Sequence, residues 1–303
     1  MFSWVISYAS SEPGLLLAVV VAIVAALIAR HWFAPPSYPA LAWSKNSPSW
    51  KSSDPPPFSP SADRVLLVTA HPDDECMFFA PTCLALTDAG VPLHLLCLST
   101  GNADGLGTVR ERELRTSAKI LRIPAENMAV VNSLSLQDGM KAVWPAAEIV
   151  KRVKDVVKRD GITQIVTFDN GGVSGHPNHI AISRALQSDA SLGKITWHLY
   201  SVPSVVAKYL PFSLDAFRTL TSGSSRPRDH YQLGTTGSVR QSATDEVVWR
   251  VVSRPAQIER AKTAMRAHAS QMVWFRYLYI KVSRYMAVNE LVKTTTRLGK
   301  VTQ

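Results

Sequence analysis

The chain has 303 residues, of which 46% are hydrophobic and 18% charged; this composition excludes a disordered chain, and the length allows a sizeable core. The formal net charge of +10 is unevenly placed, because residues 250–303 contain 11 Lys or Arg and only 2 Asp or Glu. A basic tail of this kind can bind nucleic acid or anionic lipid, or simply aid solubility. The amino-terminal segment helps to decide between these partners.

That segment, residues 13–29, reads PGLLLAVVVAIVAALIA and carries no charge between Glu12 and Arg30. Its length is at the short end for a membrane-spanning helix. A cleaved signal peptide is the alternative, but residues 2–12 lack the basic residues that such peptides carry. We therefore expect an uncleaved anchor over residues 1–33, with a membrane rather than a nucleic acid as partner. The positive-inside rule places the rest of the chain in the cytosol, because basic residues follow the segment and none precedes it: Arg30, Lys45 and Lys51.

Residues 34–62 contain eight prolines and many serines, which predicts a semi-extended linker before a folded domain over residues 63–303. Within that domain, residues 221–245 are rich in Gly, Ser and Thr and are expected to form a mobile loop. The three cysteines have apolar neighbours and lack metal-site spacing, which is typical of reduced core thiols: Cys76, Cys83 and Cys97.

The folded domain alternates predicted strands with predicted helices. Hydrophobic runs predict strands at 64–70, 92–100, 129–133, 162–168, 195–202 and 246–252. Helical patterns cover 75–89, 108–123, 144–160 and a segment from about residue 255. This alternation predicts an α/β fold with a Rossmann-like, doubly wound, mostly parallel sheet and helices on both faces. Ligands of such sheets bind beyond the carboxyl ends of the strands.

Clustered polar residues follow two of these strands, in HPDDE (71–75) and FDNGGVSGHPNH (168–179). Either stretch alone is most often a turn or a helix start. At strand ends of one sheet, however, two histidines and a carboxylate form an open three-ligand site for a divalent metal such as zinc. Such a metal makes hydroxide available at neutral pH, a second carboxylate takes the proton of the water, and a further histidine stabilises an oxyanion. The residues therefore predict metal-assisted hydrolysis: His71, Asp73, Asp74, His176 and His179.

A glycine-rich loop, STGNADGLG (99–107), precedes the helix predicted at 108–123. Its backbone N–H groups can hold an anion such as a substrate phosphate. Nucleotide binding is a weaker alternative, because the loop lacks the P-loop Lys-Ser/Thr and the Gly-x-Gly-x-x-Gly fingerprint. Arg110, one turn into the helix, either points into the site or forms a solvated pair with Glu111 or Glu113. We expect the substrate-binding residues to be Asn102, Asp104 and Arg110.

Three long stretches, AHPDDE, LSTGNADGLGTVREREL and TFDNGGVSGHPNH, resemble the signatures of the metal-dependent sugar de-N-acetylases of the PIG-L/LmbE type. The resemblance spans residues 64–200 and 246–291. The carboxyl-terminal stretch AMRAHASQMVWFRYLYIKVSRYM (264–286) is similar to the eukaryotic branch of that family, which acts on N-acetylglucosaminyl-phosphatidylinositol in GPI-anchor biosynthesis.

The resemblance implies a role for each polar residue. His71, Asp74 and His179 would hold zinc, although ferrous iron can occupy the same ligands. Asp73 would be the general base, and His176 would stabilise the oxyanion and help to protonate the departing amine. The implied products are glucosaminyl-phosphatidylinositol and acetate, formed at the cytosolic face of the endoplasmic reticulum membrane by a single-pass protein.

The chain departs from the family pattern at one position of the site. Bacterial thiol-pathway relatives carry a tyrosine at the position of Ser174, so no phenol is expected to assist the oxyanion here. Two other hypotheses about function are considered: hydrolysis of another, soluble N-acetyl sugar, and a membrane-anchored relative without activity.

Aromatic and basic residues interleave in the predicted helix at 274–286, which suits either a membrane interface or packing on the sheet. His268 is expected to be structural, and Glu75 to start a helix.

Overall fold

The computed structural model describes residues 57–202, 208–209 and 244–296. Their strands are β1 (Val65–Thr69), β2 (Leu93–Cys97), β3 (Met128–Val130), β4 (Gln164–Phe168), β5 (Thr196–Leu199), β6 (Thr244–Val252) and β7 (Val288–Thr296). All seven lie in one sheet with the order β3-β2-β1-β4-β5-β7-β6. Strands β1 to β5 pair in parallel, and β7 pairs antiparallel with β5 and β6. The prediction of an α/β fold with a mostly parallel sheet is confirmed.

The helices are α1 (Asp74–Met77), α2 (Ala80–Asp88), α3 (Gly107–Ile120), α4 (Ala146–Asp160), α5 (Gly172–Gly175), α6 (Pro177–Ser188), α7 (Ala190–Gly193), α8 (Pro255–Ala267) and α9 (Trp274–Val282). Short 3-10 turns occur at Asn102–Asp104, Ala125–Asn127, Ala269–Gln271 and Arg284–Met286. Helices α1, α2 and α3 each contact α8, whereas α6 contacts both α4 and α7.

Hydrophobic patterning explains these elements. All residues of β1 (VLLVT) and β2 (LHLLC) are buried, as in parallel strands that are covered on both faces. Helix α4 buries an apolar stripe and ends at Gly161, whose φ of 63° suits a residue without a Cβ. Strand β7 is not among the predicted strands, because VNELVKTTT contains no continuous hydrophobic run.

Three predicted elements differ from the structure. The helix predicted at 75–89 is divided at Phe78 and Phe79, because Pro81 in the first turn of α2 has no N–H to continue the helix and its ring would clash with the carbonyl of the preceding turn. The helix predicted at 274–286 ends at Val282, where Ser283 takes an extended conformation. Strand β6 begins at Thr244, inside the predicted loop.

The folded domain begins before residue 63. Phe58 lies in the predicted linker but is fully buried, with its ring 5.4 Å from that of Trp197 and 4.9 Å from that of Trp249. The predicted anchor at 1–33, the linker up to residue 56 and loop residues 221–243 lie outside the described residues. Among the described helices, none has the length and apolar character needed to cross a membrane.

Candidate functional site

The candidate site lies where the loops leaving β1 and β4 diverge. These strands are neighbours in the sheet, but β2 and β3 continue on one side of them and β5 on the other. A crevice opens at such a point beyond the carboxyl ends of the strands. A cavity of about 340 Å³ occupies this position and is lined by all five predicted metal and catalytic residues: His71, Asp73, Asp74, His176 and His179.

Asp74 is fixed at the base of the cavity by the backbone. Its Oδ2 accepts hydrogen bonds from the N–H groups of Ala70 (3.0 Å) and His71 (2.8 Å). Its Oδ1 lies 3.3 Å from Nε2 of His179. Burial opposes ionisation of this carboxyl, but His179 and His71 outweigh burial and hold its pKa well below the usual range. Asp74 is therefore an ionised, oriented carboxylate between two imidazoles.

The two flanking histidines each turn one ring nitrogen towards Asp74. His179 stacks on Phe168 at 4.0 Å between ring centroids, and its Nδ1 is 3.0 Å from the carbonyl oxygen of Gly172. Its buried Nε2 has no hydrogen-bond partner in the described part of the chain. His71 directs Nε2 to Asp138 Oδ1 at 3.0 Å, which leaves Nδ1 3.8 Å from Asp74 Oδ2.

This arrangement fits a metal. Histidine ligands commonly donate their second N–H to a carboxylate or a backbone carbonyl, and Asp138 and Gly172 supply one of each. The unpartnered Nε2 of His179 is the atom that a metal would satisfy. A second combination is also close enough, because ring nitrogens of His71, His176 and His179 lie within 4.8 Å of one another.

His176 differs from the other two histidines in its surroundings. Its Nδ1 accepts a hydrogen bond from the backbone N–H of Asn178 at 3.2 Å, so the neutral ring carries its proton on Nε2. Burial and the neighbouring His71 and His179 lower its pKa to about 4. His176 is therefore a neutral imidazole with an N–H to donate.

Asp73 faces a different set of partners from Asp74. Its Oδ2 accepts a hydrogen bond from Nη1 of Arg276 at 2.5 Å and lies 3.5 Å from Nη2 of Arg110. Its backbone is strained, with φ at 106°, and its N–H donates to Oε2 of Glu75 at 3.0 Å. Asp73 and Asp74 therefore contact different partners.

Arg110 is buried at the cavity wall, so the alternative of a solvated pair with Glu111 or Glu113 is wrong. It donates to the carbonyl oxygens of Gly101 and Pro72, each at 2.8 Å. A Cβ on Gly101, which has φ +67°, would lie 2.5 Å from Cζ of Arg110, so only glycine fits there.

The other two predicted substrate-binding residues occupy different positions. Asp104 lines the cavity and is exposed. Asn102 is not among the lining residues; its Oδ1 accepts the N–H of Gly107 at 2.8 Å and so closes the glycine-rich loop.

Two residues that contact the predicted site residues are not among those predicted from the sequence. Asp138 lies in the irregular segment after β3 and reaches both His71 and Arg110. Its only signal is its place beyond the carboxyl end of a strand, in SLQDGM. Arg276 is noted only as one cation among aromatic residues, because nothing local connects it to Asp73, 203 residues earlier.

Beneath Asp73 lies a fully buried pair formed by Glu75 and His268, with 2.8 Å between Oε1 and Nε2. Ser117 Oγ also donates to Glu75. Burial opposes both charges, yet each partner favours the other, so the pKa of Glu75 is lowered and that of His268 is raised. Cys76 is close enough to complete a metal-capable group with them, although Oε1 of Glu75 and Nε2 of His268 already pair with each other. His268 is thus the buried ion-pair partner of Glu75, and Glu75 lies in the first turn of α1, at the helix start where it is expected.

Comparison with solved structures supports the fold. A deacetylase from the biosynthesis pathway of teicoplanin has a TM-score of 0.52 and 13% identity, and the match covers 77% of this chain and 98% of that chain. The zinc-inhibited form of a teicoplanin deacetylase has a TM-score of 0.51 and 12% identity, with coverage of 77% and 98%.

Sequence comparison is more specific. A probable N-acetylglucosaminyl-phosphatidylinositol de-N-acetylase of Schizosaccharomyces pombe is 37% identical over 237 residues, which cover 78% of this chain and 88% of that protein. The N-acetylglucosaminyl-phosphatidylinositol de-N-acetylase of Bos taurus is 36% identical over 242 residues, which cover 75% and 82%. The family model described as PIG-L, GlcNAc-PI de-N-acetylase, matches residues 66–188. The chain belongs to the PIG-L family.

Proposed function

We propose that this chain hydrolyses the N-acetyl group of N-acetylglucosaminyl-phosphatidylinositol, giving glucosaminyl-phosphatidylinositol and acetate in GPI-anchor biosynthesis. The observation that carries the proposal is the convergence of His71, Asp74 and His179 in one cavity. Asp73 lies beside them and is held by a different contact, with Arg276. The relatives of the chain support the same activity. A hydrolytic site of this type needs a metal position and an independent base.

His71, Asp74 and His179 would hold Zn²⁺, or Fe²⁺ with the same donors. We prefer this set to the three-histidine set because the Asp74 carboxylate lies between His71 and His179, whereas His176 already uses Nδ1 for a backbone N–H. When bound, the metal supplies Lewis acidity, which lowers the pKa of a water and polarises the amide carbonyl.

The protein groups supply orientation and proton transfer. Asp73 removes the proton of the attacking water, and the guanidinium groups of Arg276 and Arg110 keep its carboxylate aimed at the cavity. His176 donates its Nε2–H to the developing oxyanion. The proton taken by Asp73 is then available to the departing amine. In this proposal Asp104 contacts hydroxyl groups of the sugar, Arg110 positions the base, and Asn102 shapes the loop.

The proposed organisation follows the sequence. Residues 1–33 form a single-pass anchor in the endoplasmic reticulum membrane, and a linker follows it and ends before Phe58. The rest of the chain forms a Rossmann-like, doubly wound catalytic domain facing the cytosol. The uncharged run at 13–29 and the basic residues that follow it support this orientation. An anchor keeps the cavity near a lipid substrate that does not leave the bilayer.

The test uses the full chain in detergent, stripped of metal with a chelator and assayed with and without added Zn²⁺. We expect zinc-dependent acetate release from N-acetylglucosaminyl-phosphatidylinositol. An absence of metal-dependent release would refute the proposal. Equal efficiency on free N-acetylglucosamine derivatives would favour the second hypothesis, a de-N-acetylase of soluble sugars.

A further inference from the structure

Exposed apolar side chains lie on the segments that line the cavity. In the described part of the chain, ten large hydrophobic residues are exposed, and all ten lie on four segments that also contribute lining residues. They are Leu106, Leu134, Met140, Val143, Tyr209, Val273, Trp274, Phe275, Tyr277 and Leu278. The lining residues on these segments are Asp104, Asp138, Tyr209, Arg276 and Tyr279. Single exposed hydrophobic residues scattered over a surface are ordinary, but exposed hydrophobic residues confined to the segments of one cavity are not. This distribution therefore indicates a binding partner at the cavity mouth.

Helix α9 has two different faces. Tyr279 and Ile280 are buried, and Arg276 turns inwards to Asp73. The outward face repeats at helical spacing through Trp274, Tyr277 and Leu278, and Trp274 is 79% exposed. The other face of α9 is already packed against the domain, so this apolar stripe is free to contact an apolar environment outside the protein.

The second rim of the cavity is the loop of residues 134–143, which contributes the lining residue Asp138 and has Leu134 96% and Val143 89% exposed. The loop is held from inside by buried Leu136 and by Trp144, whose Nε1 donates to the carbonyl oxygen of Gln137 at 2.8 Å. Its exposed side chains are therefore presented by an anchored segment.

The chemistry of both rims matches a lipid surface. Trp and Tyr are the side chains enriched at the membrane interface, and exposed lysines accompany them on each rim, Lys281 on α9 and Lys141 on the loop. Such cations complement anionic headgroups. A second protein seated on both rims would close the cavity, whereas a bilayer lets the sugar enter while the acyl chains stay in lipid.

We propose that α9 and the 134–143 loop form a docking surface that seats the mouth of the cavity directly on an anionic lipid bilayer. This inference rests on the proposed function for its lipid substrate. It assigns to the catalytic domain a membrane contact of its own, separate from any anchor at 1–33, which sets the distance between the metal site and the bilayer surface.

Fluorescence tests the contact itself. The full chain is reconstituted in vesicles of phosphatidylcholine and phosphatidylinositol, with and without bromine atoms on the acyl chains of the phosphatidylcholine. The fluorescence of Trp274 is obtained as the difference in fluorescence intensity between wild type and Trp274→Phe. We expect this intensity to fall in vesicles that contain the brominated lipid; an unchanged intensity overturns the proposal.

Activity gives the second readout. The variant Trp274→Ser with Phe275→Ser should lose about tenfold or more in kcat/KM on bilayer substrate, since two apolar side chains no longer enter the interface. On the water-soluble headgroup without acyl chains, its kcat/KM should be unchanged. The matched control, Trp274→Leu with Phe275→Leu, should stay near wild type on both. Equal losses on both substrates, or no loss, contradict docking.

Two further outcomes separate the alternatives. If wild type releases acetate from neither substrate, the proposed function fails, and the quenching result alone decides the docking. If the serine variant has a lower mass than the leucine control by light scattering in detergent, and Trp274 is not quenched, the face is an interface between copies of the chain and the proposal is overturned.

Discussion

The substitution His268→Leu tests whether a buried ion pair supports the proposed base. Glu75 and His268 are both inaccessible to solvent, and Glu75 uses Oε1 for His268 and Oε2 for the N–H of Asp73. Leucine would leave the Glu75 carboxylate buried without its cation. The strained backbone of Asp73, with φ at 106°, would then lose an oriented acceptor.

The expected loss is large. Removing one partner of a buried pair destabilises by about 3–5 kcal/mol, which corresponds to a fall in Tm of roughly 6–20 °C for a domain of this size. The pKa of Glu75 is lowered, so its contribution is present above the unfolded value of 4.5 and is lost as pH falls through the folded pKa. The pKa of His268 is raised, so its contribution is present below 6.5 and is lost as pH rises through the folded pKa. The difference in Tm between wild type and variant should therefore be greatest between these two values and decrease in more alkaline buffer.

The assay combines Tm, bound zinc and kcat for the full chain in detergent. Bound zinc should be unchanged because the three proposed ligands remain, while kcat falls about tenfold or more as the Asp73 carboxylate loses its orientation. The matched control is Glu75→Gln in the His268→Leu background, which removes both charges and should recover part of the lost Tm. A Tm within a degree or so of wild type, together with unchanged kcat, would refute the reasoning.

Three further predictions concern the cavity. Asp73→Asn should abolish turnover with zinc still bound, and Asp74→Ala should lower zinc content measured by metal analysis; loss of zinc from the Asp73 variant would reverse the two assignments. Arg276→Gln should lower kcat about 10–100-fold at constant zinc content, because the closest cation no longer orients the proposed base; an effect confined to KM would contradict this role. Gly101→Ala should lower the free energy of unfolding by about 1–3 kcal/mol more than Gly105→Ala, because both glycines have positive φ but only the first meets a guanidinium; equal losses in denaturant unfolding would show that φ alone matters.

Local pattern was sufficient for the parallel part of the sheet. Strands β1, β2 and β4 are short hydrophobic runs followed by Gly, Pro or Asp, and the polar residues after them mark the site. Helix α1 separated from α2 because a single proline overrides fifteen residues of apparent periodicity. Strand β7 depends on pairing with β5 and β6, which local hydrophobicity does not encode.

The candidate site, like the sheet, was predictable from the sequence only in part. Its central residues were predicted from short motifs, since His71 and Asp74 are three residues apart and His176 and His179 share one helix start. The groups that orient this core came from distant segments. Their contacts form only when the chain folds, so no spacing in the sequence predicts them; these groups are Asp138, Arg276 and His268.

The charges of the cavity explain why so many orienting groups are needed. Histidines aside, the described lining residues that are charged at neutral pH are four carboxylates and three cations, namely Asp73, Asp74, Asp104, Asp138, Arg110, Lys208 and Arg276. With neutral histidines this set has a net charge of −1, which suits the uptake of a divalent cation, and with such a cation bound the net charge would be +1. A weakly positive cavity favours an oxyanion over a neutral amide and attracts a substrate that carries a phosphodiester. Arg276 and Arg110 therefore have two effects at once, because they orient the proposed base and limit the negative charge beside the proposed metal position.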